Sequence, residues 1–212
     1  MENIMNMDEL ISSEDELRSI VGYPSDLVIR KVIPFLDQHC REFIAQSPFL
    51  VMSTADKSGL CDVSPRGDDS GFVLVLDDLH IIIPERPGNR RIDSMRNIIS
   101  NPQIGLIFLI PGMEETLRIN GQACVTKDPA LLGQMQVSGK IPTLGIGVKV
   151  QECYIHCAKA FKRSQLWNPL SWPKEKSLPN AAQILADHAN ITGYTKKEIQ
   201  ELLDESYTKR LY

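Results

Sequence analysis

The stretch from Ser64 to Ala123, SPRGDDSGFVLVLDDLHIIIPERPGNRRIDSMRNIISNPQIGLIFLIPGMEETLRINGQA, decides how this chain folds. Its apolar residues fall into runs of strand length: Phe72–Leu76, Leu79–Ile83 and Gln103–Ile110. The first two runs flank Asp77-Asp78 and predict a hairpin with a two-residue turn, whose type Asp-Asp leaves open. Pro84 closes the second run. A Pro/Gly-containing loop then opens a segment, Arg90–Ser100, in which Ile92, Met95, Ile98 and Ile99 space one apolar face of a short helix. Asn101-Pro102 ends it.

The same pattern continues outward. Upstream, Phe49–Thr54 and Leu60–Ser64 read as strands around a turn at Lys57–Gly59. Downstream, Pro111-Gly112 is a turn, and residues 115–126 and 144–157 are long strand candidates, with a small helix near Asp128–Met135 between them. So many strands with so few helices predict a mainly β protein with flanking helices, an antiparallel barrel instead of a βαβ sheet. The first 47 residues read as helical. Ser12 and Ser13 precede Glu14-Asp15-Glu16-Leu17 as a capped start, Pro24 interrupts, and Pro34 suits the first turn of Phe35–Ala45. The tail, about 169–212, has a Pro-rich linker, then helices near Ala181–Ala189 and Thr195–Tyr207, the latter with a Thr195/Glu198 capping box. A single domain with helical segments at both ends is the expected organisation.

The chemical signal lies in the choice of cation. Between Ser58 and Thr126 there is no lysine, yet six of the eleven arginines stand there: Arg66, Arg86, Arg90, Arg91, Arg96 and Arg118. The formal net charge is -4, so this is a local preference and not a basic bias. Planar, bidentate donors suit phosphate or carboxylate. The segment Pro87-Gly88-Asn89-Arg90-Arg91 carries it furthest: glycine allows close approach, and a helix start offers free N–H groups to an anion. Arginines at a helix start oppose the macrodipole, so stability alone would not put them there. Arg66 and Arg118 each sit near a strand; singly they suit salt bridges, and with Arg90 and Arg91 they suit a shared anion cleft.

Other motifs fall short. Gly133 to Lys140 has the wrong spacing for a P-loop, Gly145-x-Gly147 lacks a third glycine, and no nucleophile elbow exists. On a regular strand Cys153 and Cys157 face away from His156, which splits a would-be metal set and leaves no metal site expected. His80 reads as structural. Five cysteines at irregular spacing suit free thiols in a cytoplasmic protein. Residues 1–11 are acidic and read as neither leader nor anchor, and no apolar run reaches membrane-spanning length. The acidic balance, without aromatics interleaved among the arginines, argues against nucleic acid.

The quoted stretch, together with His156–Trp167 (HCAKAFKRSQLW), resembles the FMN-binding split-barrel superfamily of pyridoxamine 5'-phosphate oxidase, and within it the uncharacterised branch of FMN-dependent enzymes. The resemblance spans roughly Phe49–Trp167. It implies a six-stranded antiparallel split β-barrel and a homodimer with FMN at the subunit interface. It implies that Ser64 and Arg66 lie along the flavin and its ribityl chain, with Ile83 and Pro84 beside them. Asn89, Arg90, Arg91 and Ser94 would form the phosphate site. Thr116 and Arg118 would lie on the strand that crosses to the flavin, and Arg163 and Trp167 would be a C-terminal contribution from either subunit.

The chain departs from the vitamin B6 oxidases in having Arg-Arg where they have Arg-Lys, and in lacking their C-terminal substrate-phosphate signature. FMN binding is therefore expected and B6 oxidation is not. The expected function is oxidoreduction of an unidentified small molecule, with no catalytic residue assigned and direct reaction with NADH or NADPH left open. Rival readings are a non-catalytic flavin- or haem-binding module and a deazaflavin-dependent reductase on the same barrel.

Overall fold

The computed structural model describes residues 10–212, so the reading of the first nine residues lies outside the described part. The chain divides into two compact units, Met1–Val32 and Ile33–Tyr212. In the first, α1 (Glu14–Val21) starts as expected: the Ser13 hydroxyl accepts the Glu16 N–H at 3.2 Å, and the Glu16 carboxylate accepts the Ser12 N–H. A second short helix, α2 (Asp26–Arg30), follows Pro24.

The second unit is built on one antiparallel sheet of seven strands: β1 (Phe49–Ala55), β2 (Cys61–Gly67), β3 (Leu74–Val75), β4 (His80–Pro84), β5 (Gln103–Leu109), β6 (Thr116–Thr126) and β7 (Gly145–His156). Their order is β2-β1-β5-β6-β7-β4-β3, so β2 and β3 are the two ends and the ladder does not close on itself. The six-stranded split barrel that the resemblance implies is thus corrected to seven strands in one open ladder. The strand expected at Phe72–Leu76 is β3, only two residues long, and its hairpin to β4 turns through Asp77–Leu79, not through two residues. Asp77 explains the longer turn, because its carboxylate accepts the Leu79 N–H at 2.7 Å and contacts the His80 ring at 2.9 Å.

Alternation places the core. Leu50, Met52 and Thr54 of β1, Ile104, Leu106 and Phe108 of β5, and Leu117 and Ile119 of β6 are all buried on one face. On β7 the buried residues are Ile146, Val148 and Val150, and then Cys153. The change of parity is a bulge: Asn120 pairs with Glu152 and Gly121 with Val150, leaving Gln151 over. The bulge returns Cys153 to the core, where its Sγ lies 3.2 Å from that of Cys40. That contact, followed by burial, pushes the Cys153 thiol pKa far up, so it packs in the core as a neutral thiol.

Cys40, Phe43 and Ile44 form the inward face of α3 (Gln38–Gln46). This helix begins later than expected, leaving Pro34 ahead of it, because Asp37 is the cap: its carboxylate accepts the Cys40 N–H at 2.8 Å, which lowers its pKa. After α4 (Asp93–Ser100) and α5 (Pro129–Leu132), the chain runs into α6 (Lys159–Ser164), α7 (Ala181–Ala189) and α8 (Lys196–Lys209). The Thr195/Glu198 box stands at the start of α8. Among the described residues no helix is long and apolar enough to cross a membrane, all five cysteines are free, and no cluster of metal-ligating side chains occurs.

Candidate functional site

β2 is an edge strand, which is why Pro65 is tolerated inside it. Its half-buried positions are Asp62, Ser64 and Arg66, so its inward face is polar where the inward faces of its neighbours are apolar. This polar face is one wall of a cavity of about 440 Å³. The opposite wall is the loop Pro84–Asp93, and Leu211 reaches in from the far end of the chain. Six of the expected site residues line this space: Ser64, Arg66, Pro84, Asn89, Arg90 and Arg91. Ile83 is fully buried in the core beside it. Ser94 is buried and its hydroxyl donates to the cavity residue Asp62 at 3.0 Å.

The loop differs from its sequence reading. The helix begins at Asp93, so Arg90 and Arg91 precede it and do not form its first turn. Two of its non-glycine residues are left-handed, Arg90 (φ 62) and Ile92 (φ 53), and the second serves as the helix cap without any side-chain hydrogen bond. For a β-branched residue this conformation is strained, and such strain persists only where surrounding contacts impose it. The twist also moves the helix's apolar face. Met95 and Ile98 are buried with Ser94, whereas Ile92 is half exposed and Ile99 is 78% exposed. Asn89 braces the loop by accepting the Arg91 N–H at 3.0 Å.

Four arginines face the cavity, and three already hold an acid. Arg66 pairs with Glu85, Arg86 with Asp68 at 2.6 Å, and Arg91 with Asp93 at 2.9 Å. The Asp93 contact raises the Arg91 pKa, and the same hydrogen bond lowers that of Asp93. Arg90 has no hydrogen bond or ion pair among the described residues. The buried Nε of Arg66 also has no partner, an orphaned donor in the cavity wall. One free guanidinium and one orphaned N–H, beside two more guanidiniums paired with acids of the chain, suit an anionic ligand with further hydrogen-bond acceptors. The volume is within the roughly 300–1,000 Å³ usual for small-molecule sites.

The other four expected residues lie elsewhere. Thr116 is buried at the start of β6, opposite His156. The Arg118 guanidinium lies over the Tyr154 ring, 5.5 Å from its centroid. Trp167 stacks on Phe161 and donates to the Met113 carbonyl at 2.8 Å, and Arg163 is exposed on α6. None of these lines the cavity.

Sequence reading missed the acids and the tail. Asp62 shares its strand face with Ser64 and Arg66 at period two, a signal that was available. Asp68 and Tyr212 left none. The Asp68 side chain is only 1% exposed and accepts from Arg86 and from the Tyr212 hydroxyl at 2.6 Å. Burial would raise its pKa, but the hydrogen bonds from Tyr212, the Asp69 N–H and Arg86 outweigh it and the pKa is lowered. A depressed pKa contributes stability above the ordinary carboxylate value, which is lost as pH falls through the folded value. Acid unfolding of Asp68→Asn should therefore depend less on pH below about 4 than that of the parent. Denaturant midpoints measured across the acid range check this; identical slopes would remove Asp68 from the account.

A sequence model of the pyridoxamine 5'-phosphate oxidase family matches residues 36–157, more than half of the chain. The chain belongs to that family. The match covers α3 and all seven strands, with the cavity's β2 wall and 84–93 loop inside it. No curated protein matches the sequence. Similar solved structures include HupZ of Group A Streptococcus, with 18% identity over 56% of this chain and 92% of that one, TM-score 0.47. General Stress Protein 26 of Bacillus anthracis has 15% identity over 56% and 94%, TM-score 0.40. An FMN-binding protein of Syntrophomonas wolfei has 10% identity over 68% and 96%, TM-score 0.43.

Proposed function

We propose that this member of the pyridoxamine 5'-phosphate oxidase family binds FMN in the cavity between β2 and the 84–93 loop and acts as an oxidoreductase on a small molecule. The observation that carries the reading is the convergence of Arg66, Arg90 and Arg91 on one cavity, with the Arg66 Nε and the Arg90 guanidinium lacking partners. Arg90 and Arg91 would hold the phosphate, Arg66 and Ser64 the polar chain behind it, and Pro84 an apolar wall. Bound there, FMN would supply the hydride or electron chemistry, while the protein supplies position and electrostatics.

A homodimer is part of the same proposal. The outward face of the β2-β1-β5 half of the sheet is apolar: Phe49, Val63 and Ile107 are exposed on it. Ile107 sits in register between Val51 and Arg118, so this face runs on to Arg118 and Tyr154. Val63 and Pro65 of β2 stand on this face and also line the cavity. A second copy seated on this face would cover the cavity's edge and bring its own Thr116, Arg118, Arg163 and Trp167 near it. An apolar sheet face beside a charged cavity is the usual composition of such an interface.

Titrating purified protein with FMN tests the reading, following flavin fluorescence and the mass of the complex by sedimentation. The expected result is saturable binding of one FMN per chain to a dimer, followed by anaerobic reduction with NADH or NADPH. Retention of haem or a deazaflavin in place of FMN, or no binding at all, would overturn it.

A further inference from the structure

Beyond α8 the tail returns to the cavity. Leu211 and Tyr212 follow the helix in irregular backbone and rest on the segment that forms one cavity wall. Leu211 lines the cavity already described, and Tyr212 lines a neighbouring one of about 580 Å³ that shares residues 85–88, Arg90 and Ile92 with it. Consecutive residues on two cavities that share one segment mean that the tail crosses this segment.

Tyr212 is held there by three groups far apart in sequence. Its hydroxyl donates to the Asp68 carboxylate at 2.6 Å, the Arg86 guanidinium lies 5.8 Å from its ring centroid, and Lys140 Nζ donates to its main-chain oxygen at 2.5 Å. Asp68 directly follows β2 and Arg86 stands in the opposite loop, so their ion pair bridges the two cavity walls. Tyr212 grips both members of that pair, with an O–H on the acid and a π face on the cation. Little apolar surface backs these polar holds: Tyr212 is only half-buried and Leu211 is 61% exposed. A segment fixed by few buried apolar contacts opens locally at small cost.

We propose that Leu211–Tyr212 is a latch across the cavity mouth, which lets go of Asp68 and Arg86 to pass a ligand in or out and then re-forms. That the ligand is FMN rests on the proposed function; that the tail opens and shuts rests on the Tyr212 contacts alone. Asp68, Arg86 and Lys140 are assigned no part of the ligand, so Tyr212 has no contact through which a bound ligand would favour the shut form. Such a gate sets how fast a ligand passes and leaves its affinity alone.

Tyr212→Phe tests the latch, because it keeps the ring beside Arg86 and removes only the hydrogen bond to Asp68. The open population should rise about tenfold, the worth of one charge-assisted hydrogen bond. Stopped-flow mixing with FMN, followed by flavin fluorescence, should show association and dissociation both quickened by that factor and the dissociation constant unchanged. Lys140→Met loosens the tail at its other hold and should quicken both rates as well. Tryptic cleavage after Arg210 in the absence of FMN reads the latch without any ligand, since it tracks the open population, and should speed up to the same extent in Tyr212→Phe. Circular dichroism melts of both variants guard against a folding defect. Unchanged rates, or an affinity weakened through slower association, would overturn the latch; the second result would make Tyr212 a brace for the cavity walls. Faster cleavage in a protein that binds no FMN would keep the latch and remove the flavin. FMN binding with cleavage and exchange rates unmoved would do the reverse.

Discussion

Replacing Arg90 and Arg91 together with alanine is expected to weaken FMN binding by about a hundredfold, tenfold for each charge-assisted hydrogen bond removed. Both side chains are exposed, so the melting temperature should hardly move and the weakening can be read as binding. The single variants separate two roles. Arg90 has no acid to release, so Arg90→Ala takes away a grip on the ligand and nothing else. Arg91 holds Asp93, so Arg91→Ala also leaves that carboxylate facing the phosphate. If neutralising Asp93 is all that Arg91 does, Arg91→Ala/Asp93→Ala should recover the parental affinity. If Arg91 grips the phosphate, the pair should stay weak. Fluorescence titration of FMN reads all four variants, and an unchanged affinity in the double-arginine variant would remove this loop from the cofactor site.

Gly121→Ala should be the most damaging single methyl that can be added to the sheet. A Cβ at Gly121 would stand 2.1 Å from the Lys149 carbonyl oxygen and 3.1 Å from its carbon, both backbone atoms of the neighbouring strand. Side chains could rotate away, but this carbonyl cannot without parting β6 from β7 at the bulge. A cost of about 3 kcal/mol or more is expected, at the upper end for overpacking. Gly105→Ala is the matched control, since its Cβ would meet only the Asn120 side chain at 3.5 Å, an ordinary contact. Urea midpoints should fall steeply for the first and little for the second. Equal midpoints would mean that the bulge can open at no cost.

The elements legible in the sequence were those whose signal is local. Apolar runs of strand length mark β4 and β5, and the caps at Ser13 and Thr195 act within one helical turn. What escaped was written in relations between distant segments. The leftover Gln151 exists only relative to its partner strand, so a strict two-residue period carried through β7 turns its last residues to the wrong face. The left-handed pair Arg90 and Ile92 has no glycine to announce it, and the apolar spacing alone placed the helix start too early. The same holds for the site. Composition brought out Arg66 and the Arg90–Arg91 dipeptide, and family likeness added Ser64. The contact of Tyr212 with Asp68 spans 144 residues, and no local pattern encodes it. Thr116, Arg163 and Trp167 came from family likeness and Arg118 from composition as well, and one chain alone does not bring them to the cavity.

Three tethered carboxylates standing on three of the four cavity arginines make ligand binding at those three a swap of counter-ions instead of a simple addition. At those three arginines an intruding chloride or acetate would replace one single charge by another and forfeit the tether, so it gains nothing there. A phosphoryl group brings a second charge and three acceptor oxygens to the exchange. Those three positions thus favour a guest whose charge density beats that of the chain's own acids, while Arg90 stands open.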